Sequence, residues 1–118
     1  MKELKFRAWD GKKMIDDVIP ASETSIIEFF DRYEWQETEV KAVEQYAGLK
    51  DKNGKEIYEG DIVEYDWYIR NDKSYRVKEK VVFDDMGARV CGHNRIRNCS
   101  GVEVIGNIHE NADLLGDK

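Results

Sequence analysis

Cys91, His93, Cys99 and His109 are the residues of this chain whose types could ligate a metal or attack a substrate. Thiolate and imidazole together suit tetrahedral zinc, whose structural sites draw on ligand pairs roughly two to four residues apart. The spacing here is poor for that purpose. A single Gly separates Cys91 from His93, five residues separate His93 from Cys99, and no CxxC pair is present. Cys91 as nucleophile with His93 as base would also require a third group to orient the imidazole, and the sequence identifies none. The plainer reading makes Cys91 a small buried hydrophobe and leaves both histidines solvated. The expectation is therefore no catalytic residue, no metal ligand and no cofactor.

Two glycine turns invite functional readings of their own. Lys52-Asn53-Gly54-Lys55 has the composition of a phosphate loop, but it lacks the length and the Gly-Lys-Ser/Thr ending that cradle a phosphate. A hairpin turn between Leu49 and Ile57 accounts for it. Gly60-Asp61 could be an acidic catalytic turn. In the structural reading Gly supplies an unusual backbone angle and Asp accepts hydrogen bonds from nearby N–H groups.

Charge is distributed unevenly. The formal net charge is −6, yet Asp16 to Asp66 holds fifteen acidic and five basic residues, whereas Arg70 to Arg97 holds eight basic and four acidic. Arg70, Lys73, Arg76, Lys78, Lys80, Arg89, Arg95 and Arg97, with Trp67, Tyr68 and Tyr75 nearby, could track phosphates while aromatics stack on bases. Against nucleic acid stand the acidic balance of the whole chain and the aromatics' claim on a core. The two charged regions could equally face one another, within one molecule or between copies.

The elements that must position these residues read mostly as strands. Leu4, Phe6 and Ala8 alternate with Lys5, Arg7 and Trp9, and Asp10-Gly11 turns the chain toward a returning strand at Lys13 to Ile15. Ile26, Ile27, Phe29, Phe30 and Tyr33 recur at helical spacing behind a capping Ser22, which predicts a short amphipathic helix over 23–33. Trp35 to Tyr46 fits a strand better than a helix. Beyond the second hairpin, Val63, Tyr65, Trp67 and Ile69 share one strand face. Val77, Val81 and Phe83 do the same on the next strand, with Arg76, Lys78 and Lys80 outward. Ala88 to Cys91 reads as a short strand and Val102 to Ile108 as the last. Gly106 interrupts that last strand at a bulge or a close backbone approach. Asn111 caps a final helical turn.

Composition bounds the class. One domain is expected at 118 residues, with 41% hydrophobic and 37% charged residues. Thirteen aromatics and a single Pro argue for a folded chain. No window reaches the length of a membrane span, no export signal is evident, and two cysteines are too few for a disulfide scaffold, so a cytoplasmic location is expected. Short strands joined by tight turns favour a small barrel or sandwich.

Four blocks then carry a resemblance: FRAWDGKKM at Phe6–Met14, QYAGLKDKNGKEIYEGDIV at Gln45–Val63, KVVF at Lys80–Phe83 and VIGNIHENADLL at Val104–Leu115. They resemble the YopX family, small proteins of bacteriophages and prophages. Ala47, His109 and Ala112 stand where that family often has Thr, an aromatic and Pro. The resemblance implies a mainly β fold: an N-terminal hairpin and a variable helical segment over 1–46, then a small antiparallel SH3-type barrel over 47–118. It implies no activity, and such barrels host many functions. The functional expectation is a non-enzymatic accessory protein that contacts another protein or its own copies. Ile26, Ile27, Phe29, Phe30 and Tyr33 are the candidate self-association surface of a homo-oligomer. Nucleic-acid binding through the basic stretch is the alternative.

Overall fold

A computed structural model describes residues 5–20, 26–31, 34–69, 73–84, 87–90, 94–95 and 99–115. Twelve strands and one 3₁₀ turn lie among them, and every pairing with a defined register is antiparallel. The chain divides into two compact units, Met1–Tyr46 and Ala47–Lys118. No helix among the described residues is long and apolar enough to cross a membrane.

The first unit opens with the expected hairpin, β1 (Phe6–Trp9) against β2 (Met14–Asp16), with Trp9 opposite Met14. Its turn spans four residues rather than two. Asp10 closes it by accepting hydrogen bonds from the Lys12 and Lys13 amides at 2.7 and 2.8 Å, and these bonds hold its carboxyl below the ordinary value. On its other side β1 pairs with the start of β6 (Ala42–Lys50). The face of β1 expected to be solvated is partly covered. Arg7 lies directly opposite Glu44, both are buried, and Arg7 Nε donates to Glu44 Oε1 at 2.8 Å. Glu44, which interrupts an otherwise apolar strand face, is thereby matched to a buried cation.

The predicted helix is a strand. Ile26–Asp31 forms β4, which pairs with β3 (Ile19–Pro20) on one side and β5 (Glu34–Glu39) on the other. Ile27 is fully buried with Ala8, Val18 and Val40, and Phe29 packs against that cluster, whereas Glu28 and Phe30 point to solvent. That is a period of two, not 3.6. β-branched and aromatic residues favour the pleated surface, and the strands either side of β4 supply the partners it needs.

In the second unit, β7 (Glu56–Tyr58) lies beside β6, and five strands form a curled half-barrel sheet in the order β11-β10-β9-β8-β12. These are β8 (Asp61–Ile69), β9 (Lys73–Asp84), β10 (Gly87–Val90), β11 (Asn94–Arg95) and β12 (Ser100–Asn107). The expected alternation holds from Val63 onward on β8 and through Val81 on β9, while at the start of β8 Asp61, Ile62 and Val63 are buried in succession. Val63, Tyr65 and Val81 are buried with Ala47, Ile57 and Val102, Val77 and Phe83 pack on them, and Arg76, Lys78 and Lys80 are exposed.

β12 ends as its glycine foretold. Its register against β8 shifts between Val104 and Gly106, and a Cβ on Gly106 would lie 2.6 Å from Asn111 Oδ1. Asn111 stands at the start of the 3₁₀ turn Ala112–Leu115, its carbonyl accepting from the Leu114 amide at 2.8 Å, while its side-chain oxygen accepts from the Asn107 amide at 3.1 Å. We expect Gly106→Ala to cost about 1–3 kcal/mol, the usual penalty of an overpacked site. In an Asn111→Gly background the same change should cost markedly less, and a urea-denaturation cycle over the four proteins measures the difference.

Candidate functional site

Cys91 and His93 lie outside the described residues. Cys99 is half-buried, and burial, reinforced by the charge of Glu79, raises its thiol pKa above the ordinary value. At neutral pH it is a protonated thiol and a weak nucleophile. It lines an open cavity of about 290 Å³ together with Leu49, Ile57, Val102 and the two lysines Lys50 and Lys52. His109 contributes its backbone N–H to Asn107 Oδ1 at 2.9 Å. Among the described residues, no three His, Cys, Asp or Glu side chains gather as a metal site would require.

The two glycine turns are structural. Gly54 and Gly60 both hold positive φ, 85° and 87°, where a side chain would be strained. Asp51, just before the first turn, is buried. Its Oδ1 accepts from the Asn53 and Lys55 amides at 2.8 and 2.9 Å, and its Oδ2 accepts from the Val104 amide of β12 at 2.8 Å. Burial alone would raise the Asp51 pKa. The amides of Val104, Lys55 and Asn53, aided by the Lys55 charge, outweigh it and hold the carboxyl below 3.8. Asp61, also buried, accepts from the Tyr58 amide at 2.8 Å, as the turn reading expects.

The basic stretch is only partly a basic surface. Arg70 and Arg97 lie outside the described residues. Lys73, Arg89 and Arg95 are placed by backbone alone, on β9, β10 and β11; the side chains of Trp67, Tyr68 and Tyr75 are likewise outside the description. Arg76 is engaged. Its Nη1 donates to Asp66 Oδ1 at 3.0 Å and to the Gly101 carbonyl at 2.8 Å, while its Nη2 lies 3.6 Å from Glu64 and 3.7 Å from Glu103. The Asp66 hydrogen bond, opposed by burial and helped by the three carboxylate charges, raises its pKa further. Lys78 and Lys80 remain exposed on the same strand. On the adjoining face of that sheet Tyr65, buried, donates its hydroxyl to Glu79.

The described self-association candidates do not share one face, because they lie on a strand and not on a helix. Ile27 is in the core and Phe29 packs on it; Ile26 is half-buried, and Tyr33 lies outside the described residues. Phe30 is the one left in solvent. It does not stand alone: it is 57% exposed, Trp35 opposite it on β5 is 55%, and Ile19 on β3 is 50%. The Phe30 and Trp35 rings meet edge to face at 5.5 Å. Sequence reading missed Ile19 and Trp35 as surface groups, since only the register of β3, β4 and β5 shows which side of the sheet each takes. The same outer face carries Glu28 directly opposite Glu37, and Glu39 opposite Ile26.

Fold and site together define a small, mainly antiparallel β protein with a separate apolar core in each of two units. The YopX protein family matches residues 5–116, and the chain belongs to that family. No curated protein matches it. Among solved structures it is similar to the crystal structure of protein EF1440 from Enterococcus faecalis. The two are 28% identical with a TM-score of 0.69, over 98% of this chain and 100% of the other.

Asp51 gives a pH-dependent test. Its pKa is depressed in the folded state, so its stabilisation is present above 3.8 and disappears as pH falls through 3.8 and below the folded value. Asp51→Asn turns an –NH₂ toward backbone donors and is expected to cost about 1–3 kcal/mol at pH 7. Urea titrations should show the gap between wild type and variant narrowing as pH falls below 3.8.

Proposed function

We propose that this chain is a protein-contact module, a phage- or prophage-derived accessory factor of the bacterial cytoplasm that acts by binding and not by catalysis. The observation that carries this reading is the outer face of the β3-β4-β5 sheet, where Ile19, Phe30 and Trp35 each leave half or more of their surface in water. A chain that buries Ile27 and Phe29 completely or partly from the same strand has the means to hide large apolar groups. Leaving two adjoining aromatics out is the signature of a surface that another macromolecule covers.

Two further features support the reading. Asp61 and Arg76, which invited functional readings in the sequence, are occupied in closing a turn and bridging strands, as is the buried Asp51. The second unit, read as an SH3-type barrel built on its curled five-stranded sheet, belongs to a class of scaffolds that serve recognition as readily as any other purpose. Nucleic acid is the weaker reading, because Arg76, central to the basic stretch, already lies among Glu64, Asp66 and Glu103. The contact can be with another protein or with a second copy in a homo-oligomer.

Photo-crosslinking in the bacterial cytoplasm tests the proposal. Benzoylphenylalanine at position 35 is expected to yield covalent protein adducts, with partner or with self, in clear excess over the same probe at position 78. Phe30→Ser should remove them. Equal yields at the two positions, or adducts only to nucleic acid, would overturn it.

A further inference from the structure

The charges around the exposed aromatics narrow the partner. β3, β4 and β5 carry no Lys or Arg, and on the outer face Glu28 stands directly across from Glu37. Like charges directly opposite one another on a sheet are destabilising. Among the described residues no cation pairs with Glu28, Glu37 or Glu39, so nothing within the sheet relieves the opposition. One position further along the same face stands the Phe30–Trp35 pair. Two carboxylates at cross-strand spacing beside an exposed indole match the needs of a guanidinium. Its planar fork can donate to both carboxylates, and its face can lie on an aromatic ring.

Resting on the contact-module reading, we propose that this face takes an arginine-bearing, apolar segment of another protein. Arginine side chains bridge Glu28 and Glu37, and apolar residues of the segment cover Phe30, Trp35 and Ile19. The charge pattern argues against the other occupants. A two-fold pairing of this face with a second copy would set Glu28, Glu37 and Glu39 of each chain against the same three of its mate. A polyphosphate backbone would be repelled by all of them.

Fluorescence anisotropy with short labelled peptides tests the inference on the full chain. One peptide alternates Arg with Val, and its counterparts carry Glu or Ser in place of Arg. The Arg peptide is expected to bind, the Glu peptide not, and the Ser peptide at least roughly tenfold more weakly, as loss of charge-assisted hydrogen bonds implies. Glu28→Gln with Glu37→Gln should weaken Arg-peptide binding by a similar roughly tenfold factor while raising the melting temperature by roughly 2 °C, since the like-charge pair is gone. Trp35→Ser should weaken binding with the circular dichroism spectrum unchanged. Because the charge variant stays folded and gains stability, a loss of binding in it cannot come from unfolding.

Equal binding of the Arg, Ser and Glu peptides, or undiminished binding by the double Gln variant, would overturn the arginine inference and leave the contact module standing. Failure of every peptide, with position 35 crosslinking only to a second copy, would replace the arginine partner with self-association. Failure of every peptide with no protein adduct at position 35 would overturn both.

Discussion

A carboxylate buried against backbone amides is the constraint on which the second unit depends. Asp51 takes three N–H groups on two oxygens and ties its own turn to Val104, far away in sequence. Around it the backbone repeats the arrangement: Asp51 N–H donates to the Lys55 carbonyl and Lys52 N–H to that of Val102. At the far end of the sheet Asp61 and Asn107 serve their own loops in the same way, and Gly60 bonds to both Val81 and Ile108. A small half-barrel has few interior side chains to define its register. Buried polar groups that accept only from particular amides define it instead, since a slipped strand would leave them unsatisfied. The densest block of the sequence, Gln45 to Val63, therefore encodes closure rather than chemistry.

In the first unit the corresponding anchor is ionic. Arg7 and Glu44 meet directly across β1 and β6, out of water, each answering the other's charge. Breaking such a pair leaves an uncompensated buried charge, whereas well-packed apolar replacements can be neutral, so its physical effect is to specify pairing more than to add stability. In both units cations that could have formed a free basic surface are committed internally. Arg7 is matched to Glu44, and Arg76 is held by Asp66, with Glu64 and Glu103 close by. Among the described residues Glu28, Glu37 and Glu39 receive no such partner.

Much of the fold was legible, and the reason is local. Asp10-Gly11, Asn53-Gly54 and Gly60-Asp61 are positions where backbone geometry restricts the choice of residue, and Gly106 is one where a close side chain does, so sequence reports structure directly. From Val63 to Asp66 on β8 and from Arg76 to Val81 on β9 the side chains alternate because one face of each strand lies on a core. β4 was illegible for the opposite reason. Ile26, Ile27, Phe29, Phe30 and Tyr33 fit a 3.6-residue period only if all are taken as buried, and nothing local marks Phe30 as exposed. Its side of the sheet is decided by Ile27 entering the Ala8–Val18–Val40 cluster and by Trp35 facing it from β5, both non-local facts. The candidate surface depended on the same facts and was therefore hidden with them.

On that hidden surface like charges meet with no cation beside them among the described residues. On β9 and β8 the facing pairs set opposite charges together, Arg76 with Asp66 and Lys78 with Glu64, and where Glu64 stands opposite Glu103 on β12 the Arg76 guanidinium lies 3.6 and 3.7 Å from the two. On β4 and β5 the corresponding positions hold Glu28 against Glu37 and an aromatic against an aromatic. A sequence shaped only for stability would place a Lys at one of the two glutamates and a polar residue at Phe30, and the strand would tolerate both. Local choices that oppose folding mark places where something other than stability is served. Here the departures in charge and in hydrophobicity fall on adjacent positions of one face, so a single occupant, cationic and apolar together, resolves both at once.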